Sequence, residues 1–232
     1  MAQDIFVASS ENLKELKKHR NRLKCLVNRA IRENSLSELD SLTKVYALLY
    51  SAYVEVSFLK LIHTPKVFSD SEIEQIQKNR NLEEKWEKCF ELAFNKLNTG
   101  ANKGEISNKK QALNRILMQY IINPSLIRNK IAHGQWARCL NNDCTKENQN
   151  ATSEMRNLDF VQIDRFFSIY DKFQQCILDL AVSPRTHYRD YYSIMQELQQ
   201  YVNNTSTWTI ETKKQQLLSS SKYIRYKIQK MN

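Results

Sequence analysis

Three glycines and three prolines in 232 residues constrain this chain more tightly than any other feature. A β-sandwich or barrel turns back every ~8–12 residues, and those turns draw on Gly, Pro, Asn and Asp. Dinucleotide and P-loop sites need glycines clustered where backbone meets phosphate. Gly100, Gly104 and Gly134 form no such cluster. What remains is an all-α protein, and apolar residues recurring three and four apart through most of the chain support it.

The length suits one domain, or one domain with an appendage. Lys and Arg (35) outnumber Asp and Glu (25), a net charge of +10. That excess favours polyanionic partners through counterion release. Five cysteines, odd in number and scattered, do not read as a secreted disulfide scaffold. The start Met-Ala-Gln-Asp-Ile-Phe lacks a cationic stretch followed by an apolar one, so no signal peptide is expected and the reading is a cytoplasmic protein. The most apolar segment, Val45 to Ile62, holds Glu55 and Lys60. It reads as a buried helix rather than a membrane span, and no membrane partner is expected.

Eight helices follow from periodicity and end signals. Ser9 or Ser10 is expected to cap the first, whose other face carries Lys14, Lys17, Lys18, Arg20, Arg22, Lys24, Arg29 and Arg32 and reads as a solvated surface rather than a nucleic-acid contact. The second runs from about Leu36 to Ile62 and stops before Pro65, apolar on most sides and so central to a bundle. Ser69-Asp70-Ser71-Glu72 opens a third that continues to Leu97, before a loop over Asn98–Gly104. A fourth spans Glu105 to Ile122, interrupted by Asn123-Pro124, where Asn caps a short helix restarting at Pro124 and closed by Gly134. Ala137 to Asn157 reads as a loop. Further helices follow at Leu158–Val182, Thr186–Val202 and Ile210–Gln229.

No Gly-x-Ser-x-Gly elbow, His-Glu-x-x-His pair or Walker loop occurs. Cys139 and Cys144 are spaced like two zinc ligands, but no second pair completes a set of four, so neither metal nor cofactor is expected. One segment stands out: Ile127-Arg128-Asn129-Lys130-Ile131-Ala132-His133-Gly134. Asn129 and His133, four apart, share a helix face, while Arg128 sits about 140° from His133.

In this segment the chain resembles the HEPN superfamily, whose members carry an Arg, four to six residues, then a His, often with Asn, Asp or His directly after the Arg. Arg128, Asn129 and His133 match that pattern. The resemblance implies a multi-helix HEPN-like bundle over residues 1–183, with additional C-terminal helices over 184–232 packed on the same domain or on a dimer interface. It also implies a metal-independent endoribonuclease acting on tRNA, mRNA or other cellular RNA, as a toxin or anti-phage effector. Such enzymes work as homodimers, with two motifs meeting across a two-fold axis in one composite site. An antitoxin or regulatory protein would restrain the activity. HEPN toxins paired with nucleotidyltransferase antitoxins often place a tyrosine two residues after the histidine; Gln135 stands there in this chain, which speaks against that pairing.

The residue types suit that chemistry. Imidazole exchanges protons near neutral pH, guanidinium holds phosphate oxygens without losing its charge, and Asn129 would orient the histidine or the phosphate. Lys130, Arg185, Arg189 and Arg225 are candidate RNA contacts, the last three within tyrosine-rich basic stretches suited to pairing phosphate contact with base stacking. Two alternatives stand beside the nuclease. In one, the segment belongs to a non-catalytic helical module that binds RNA or a partner protein. In the other, His133 merely complements a helix C-terminus and Arg128 a surface carboxylate.

Overall fold

A computed structural model describes residues 2–96, 103–182 and 184–220, apart from the side chains of 2, 103 and 184–189. The protein is an all-α, multi-helix fold. Helix α1 spans Ala2–Glu33 and α2 spans Leu36–Ile62. They form a hairpin around Asn34, whose left-handed backbone (φ 57°) lets the Ser35 N–H reach back to the Ala30 carbonyl at 3.0 Å. The expected cap at Ser9 or Ser10 is not the start of α1. Ser9 is buried within the helix, and the Ser10 hydroxyl donates to the Phe6 carbonyl at 2.8 Å, a bond made inside a helix already under way.

Helix α2 is long and apolar enough to cross a membrane by length and composition, but 56% of its apolar stretch is buried inside the fold. It packs against α1, α6 (Asn123–Ala132) and α8 (Phe160–Val182), the central place its sequence predicts. An aromatic seam joins α2 to α8. Phe167 lies 5.2, 4.9 and 5.1 Å from the rings of Tyr46, Tyr50 and Tyr53. Each tyrosine keeps its hydroxyl satisfied, Tyr46 on Asp164 (2.7 Å), Tyr53 on Asp171 (2.6 Å) and Tyr50 on the Tyr120 carbonyl (2.6 Å). Trp86 extends the seam, 4.5 Å from Phe58 and 5.1 Å from Phe173.

The capping box at Ser69 and Glu72 is formed as expected, but the helix it opens is short. α3 (Asp70–Gln77) ends, and α4 (Leu82–Asn95) begins after Asn81, whose side chain accepts from the Glu84 N–H at 2.9 Å. Asn79 turns its amide onto the Gln75 and Ile76 carbonyls. Two asparagines competing for backbone groups break the single helix expected here. The loop expected over Asn98–Gly104 lies partly outside the described residues; helix is already present from Lys103.

At Asn123-Pro124 the expected interruption is absent. α5 (Lys103–Leu117) passes through a π-helical turn, Met118–Ile122, directly into α6. Asn123 has helical dihedrals (φ −56°, ψ −46°) and is no cap. Pro124 has no N–H to offer the carbonyl four residues back, that of Tyr120. The Tyr50 hydroxyl takes over as its donor. We predict that Tyr50→Phe, which leaves that buried carbonyl without this donor, lowers stability by about 1–3 kcal/mol in chemical denaturation with the fold intact.

The segment expected as a loop between Ala137 and Asn157 holds a helix, α7 (Gln149–Arg156), capped by Asn148 onto the Ala151 N–H at 3.0 Å. Before it, a tight bend is closed by the isolated bridge Leu140–Glu147. α9 (Pro184–Thr205) lies along α8, tied down where buried Arg165 donates to the Thr205 hydroxyl (2.8 Å) and the Val202 carbonyl (3.2 Å). The Tyr191 hydroxyl joins α9 to the Lys109 carbonyl of α5 at 3.2 Å. α10 (Ile210–Leu218) rests on α1 and α8; the rest of the helix expected to Gln229 lies outside the described residues.

Candidate active site

Gly134 ends α6 as its sequence predicts. Its φ is +78°, its N–H reaches the Ile131 carbonyl (3.0 Å), and the Gln135 N–H reaches that of Lys130 (2.9 Å). This paired closure is the Schellman arrangement, which needs a left-handed residue after the helix. His133 is therefore the last half-helical residue, with its backbone N–H bonded to the Asn129 carbonyl at 3.1 Å. Ile127 and Ile131, buried against the core, fix which way α6 faces.

The exposed side of α6 opens onto a groove of about 910 Å³ between this helix, the Leu140–Glu147 bend and α7. Asn129, Lys130 and His133 line it together. Asn142, Asn150 and Glu154 face them. The imidazole of His133 and the amide of Asn129 are exposed, and neither has a side-chain partner among the described residues. Lys130 is partly committed, its ammonium donating to the Leu140 carbonyl at 2.7 Å and so holding the bend against the helix. The Gln135 side chain accepts from the Leu140 N–H at 2.7 Å and reinforces the same contact.

Arg128 stands apart. It does not line the groove; its guanidinium is paired with Glu55 of α2, while its Nε is buried without a hydrogen-bond partner. The five-residue offset between Arg128 and His133 turns them to different sides of α6, as helix geometry requires. Arg185 and Arg189 fall on the first turns of α9 but their side chains lie outside the described ones, and Arg225 lies outside the described residues. Cys139 is buried, its N–H on the Thr152 hydroxyl at 2.9 Å, whereas Cys144 is exposed at the groove. Among the described residues no group of three or more His, Cys, Asp or Glu is placed to hold a metal ion.

No family model, no curated protein and no solved structure matches the chain. The site therefore rests on its own geometry. Sequence reasoning missed the facing wall, because its asparagines were read as loop composition. It also missed the partner of Arg128. Glu55 stands in the most apolar part of α2, but it is exposed and its sequence context names no partner.

Proposed function

We propose that the protein is a metal-independent endoribonuclease of HEPN type, acting on cellular RNA as a toxin or anti-phage effector under the control of an antitoxin or regulatory protein. One observation carries the reading: His133 stands with an uncommitted imidazole on the wall of an open groove, beside Asn129 and Lys130. In the reaction the ribose 2′-oxygen bonds to phosphorus and the bond from phosphorus to the 5′-oxygen breaks. One proton leaves the 2′-hydroxyl and one reaches the departing 5′-oxygen, transfers that an imidazole can mediate near neutral pH. A homodimer joining two motifs across a two-fold axis would bring a second Arg128 near the phosphate, with each guanidinium exchanging its own Glu55 for phosphate oxygens when RNA binds.

The test is incubation of the full chain with total RNA in excess EDTA. Cleavage leaving 2′,3′-cyclic phosphate and 5′-hydroxyl ends is the expected result. RNA left intact, or cut only when metal is restored, would overturn the proposal. The Arg128–Glu55 pair favours a second reading, a helical module that binds RNA without cutting it. Such a module would retain RNA in a filter-binding assay and never shorten it.

A further inference from the structure

The groove beside His133 does not end at α6. A second cavity, of about 450 Å³, lies on the far side of Leu126, and three residues, Leu126, Ile127 and Glu154, line both. Its inner walls are apolar and aromatic, with Tyr50 and Phe166 among them, their ring centres 5.9 Å apart. Its rim carries Gln119, Asn123 and Glu154, none with a side-chain hydrogen bond among the described residues. An apolar chamber with a few convergent, uncommitted polar groups is the ordinary form of a small-ligand site. Continuity with the groove restricts what would fill it: a group attached to whatever lies beside His133.

We propose that this cavity receives an unpaired nucleobase next to the phosphodiester held in the His133 groove, making the substrate single-stranded RNA with a preference for an amino-bearing base at that position. The inference rests on the nuclease reading for the placement of the phosphate, and it adds the base pocket. A base in a duplex is stacked and paired and cannot enter; a base in a loop or single strand can be splayed out, packed on aromatic surface and read along its edge. The apolar wall supplies the packing surface. The Glu154 carboxylate accepts hydrogen bonds only, so it favours bases carrying an exocyclic amino group (adenine, cytosine and guanine) over uracil. The free amides of Gln119 and Asn123 both donate and accept, which suits an adenine edge.

The test uses short 2′-O-methyl oligonucleotides, which lack the attacking hydroxyl and so report binding alone. Fluorescence anisotropy would compare oligo-A, oligo-C, oligo-U and an abasic strand of equal length on the wild-type chain, Leu126→Ser and Glu154→Gln. Both substituted residues are exposed, and a thermal melt checks that the variants fold. Oligo-A and oligo-C are expected to bind about tenfold tighter than the abasic strand, with oligo-U between. Glu154→Gln should close the gap between oligo-U and the other two, and Leu126→Ser should bring all three toward the abasic value. An abasic strand that binds as well as oligo-A, or variants with unchanged affinities, would overturn the pocket. The two proposals fail separately. Base-dependent binding with no cleavage of natural RNA removes the nuclease and leaves the pocket, whereas cleavage indifferent to base removes the pocket alone.

Discussion

His133→Ala is expected to lower RNA cleavage by about 10²–10⁴-fold, the usual worth of a positioned proton-transfer group. The same substitution should hardly affect folding. His133 is exposed, its imidazole makes no side-chain hydrogen bond, and the closure of α6 depends on backbone groups and on Gly134. The stability it gives up is at most a favourable interaction of the side chain with the helix C-terminus, about 0.3–1 kcal/mol. A matched pair of melting curves and cleavage time courses separates the two effects. Cleavage at the wild-type rate by a folded His133→Ala chain would show that the imidazole transfers no proton.

Asp164→Ala is expected to destabilise the fold by about 3 kcal/mol, read from urea denaturation. Asp164 receives Arg20 (2.9 Å), Lys24 (2.7 Å) and the Tyr46 hydroxyl (2.7 Å), and its side chain is 23% exposed. Removing it leaves Arg20 and Lys24, expected on the solvated face of α1, without their carboxylate and the Tyr46 hydroxyl without its acceptor, while Arg20 keeps its bond to the Tyr46 hydroxyl (3.1 Å) and lies 4.0 Å from the centre of the Phe167 ring. The residual exposure places the cost at the low end for a broken buried pair. Burial by itself would raise this carboxyl, but the donations from Arg20, Lys24 and Tyr46 outweigh it and hold the pKa below the usual aspartate range. A carboxylate with a depressed folded-state pKa stabilises the fold above its unfolded value of about 3.9 and loses that contribution as pH falls through the folded value. Wild-type stability should therefore decline below about pH 4, and Asp164→Ala should flatten that part of the profile.

The parts of the fold legible in the sequence are those set by local chemistry. Ser69 and Glu72 cap α3 because both partners lie within one turn. Gly134 closes α6 because a left-handed residue is needed there and glycine adopts that conformation freely. α2 ends where expected because Pro65 follows. The parts that escaped are set by contacts distant in sequence. Asn123-Pro124 carries a strong stop signal, yet the helix continues because Tyr50, 70 residues away along the chain, serves the stranded carbonyl. At the candidate site, Asn129, Lys130 and His133 were legible from spacing. The destination of Arg128 was not, since its long side chain is directed by Glu55, 73 residues earlier.

The π-helical turn at Met118–Ile122 acts as a phase shifter. A π-turn holds about one residue more than an α-turn, so it takes in that residue locally and shifts the sequence register of everything downstream relative to α5. Downstream of it, Ile127 and Ile131 meet the core while His133 meets the groove. The register in which α6 presents the histidine thus follows from how the stretch before it is wound.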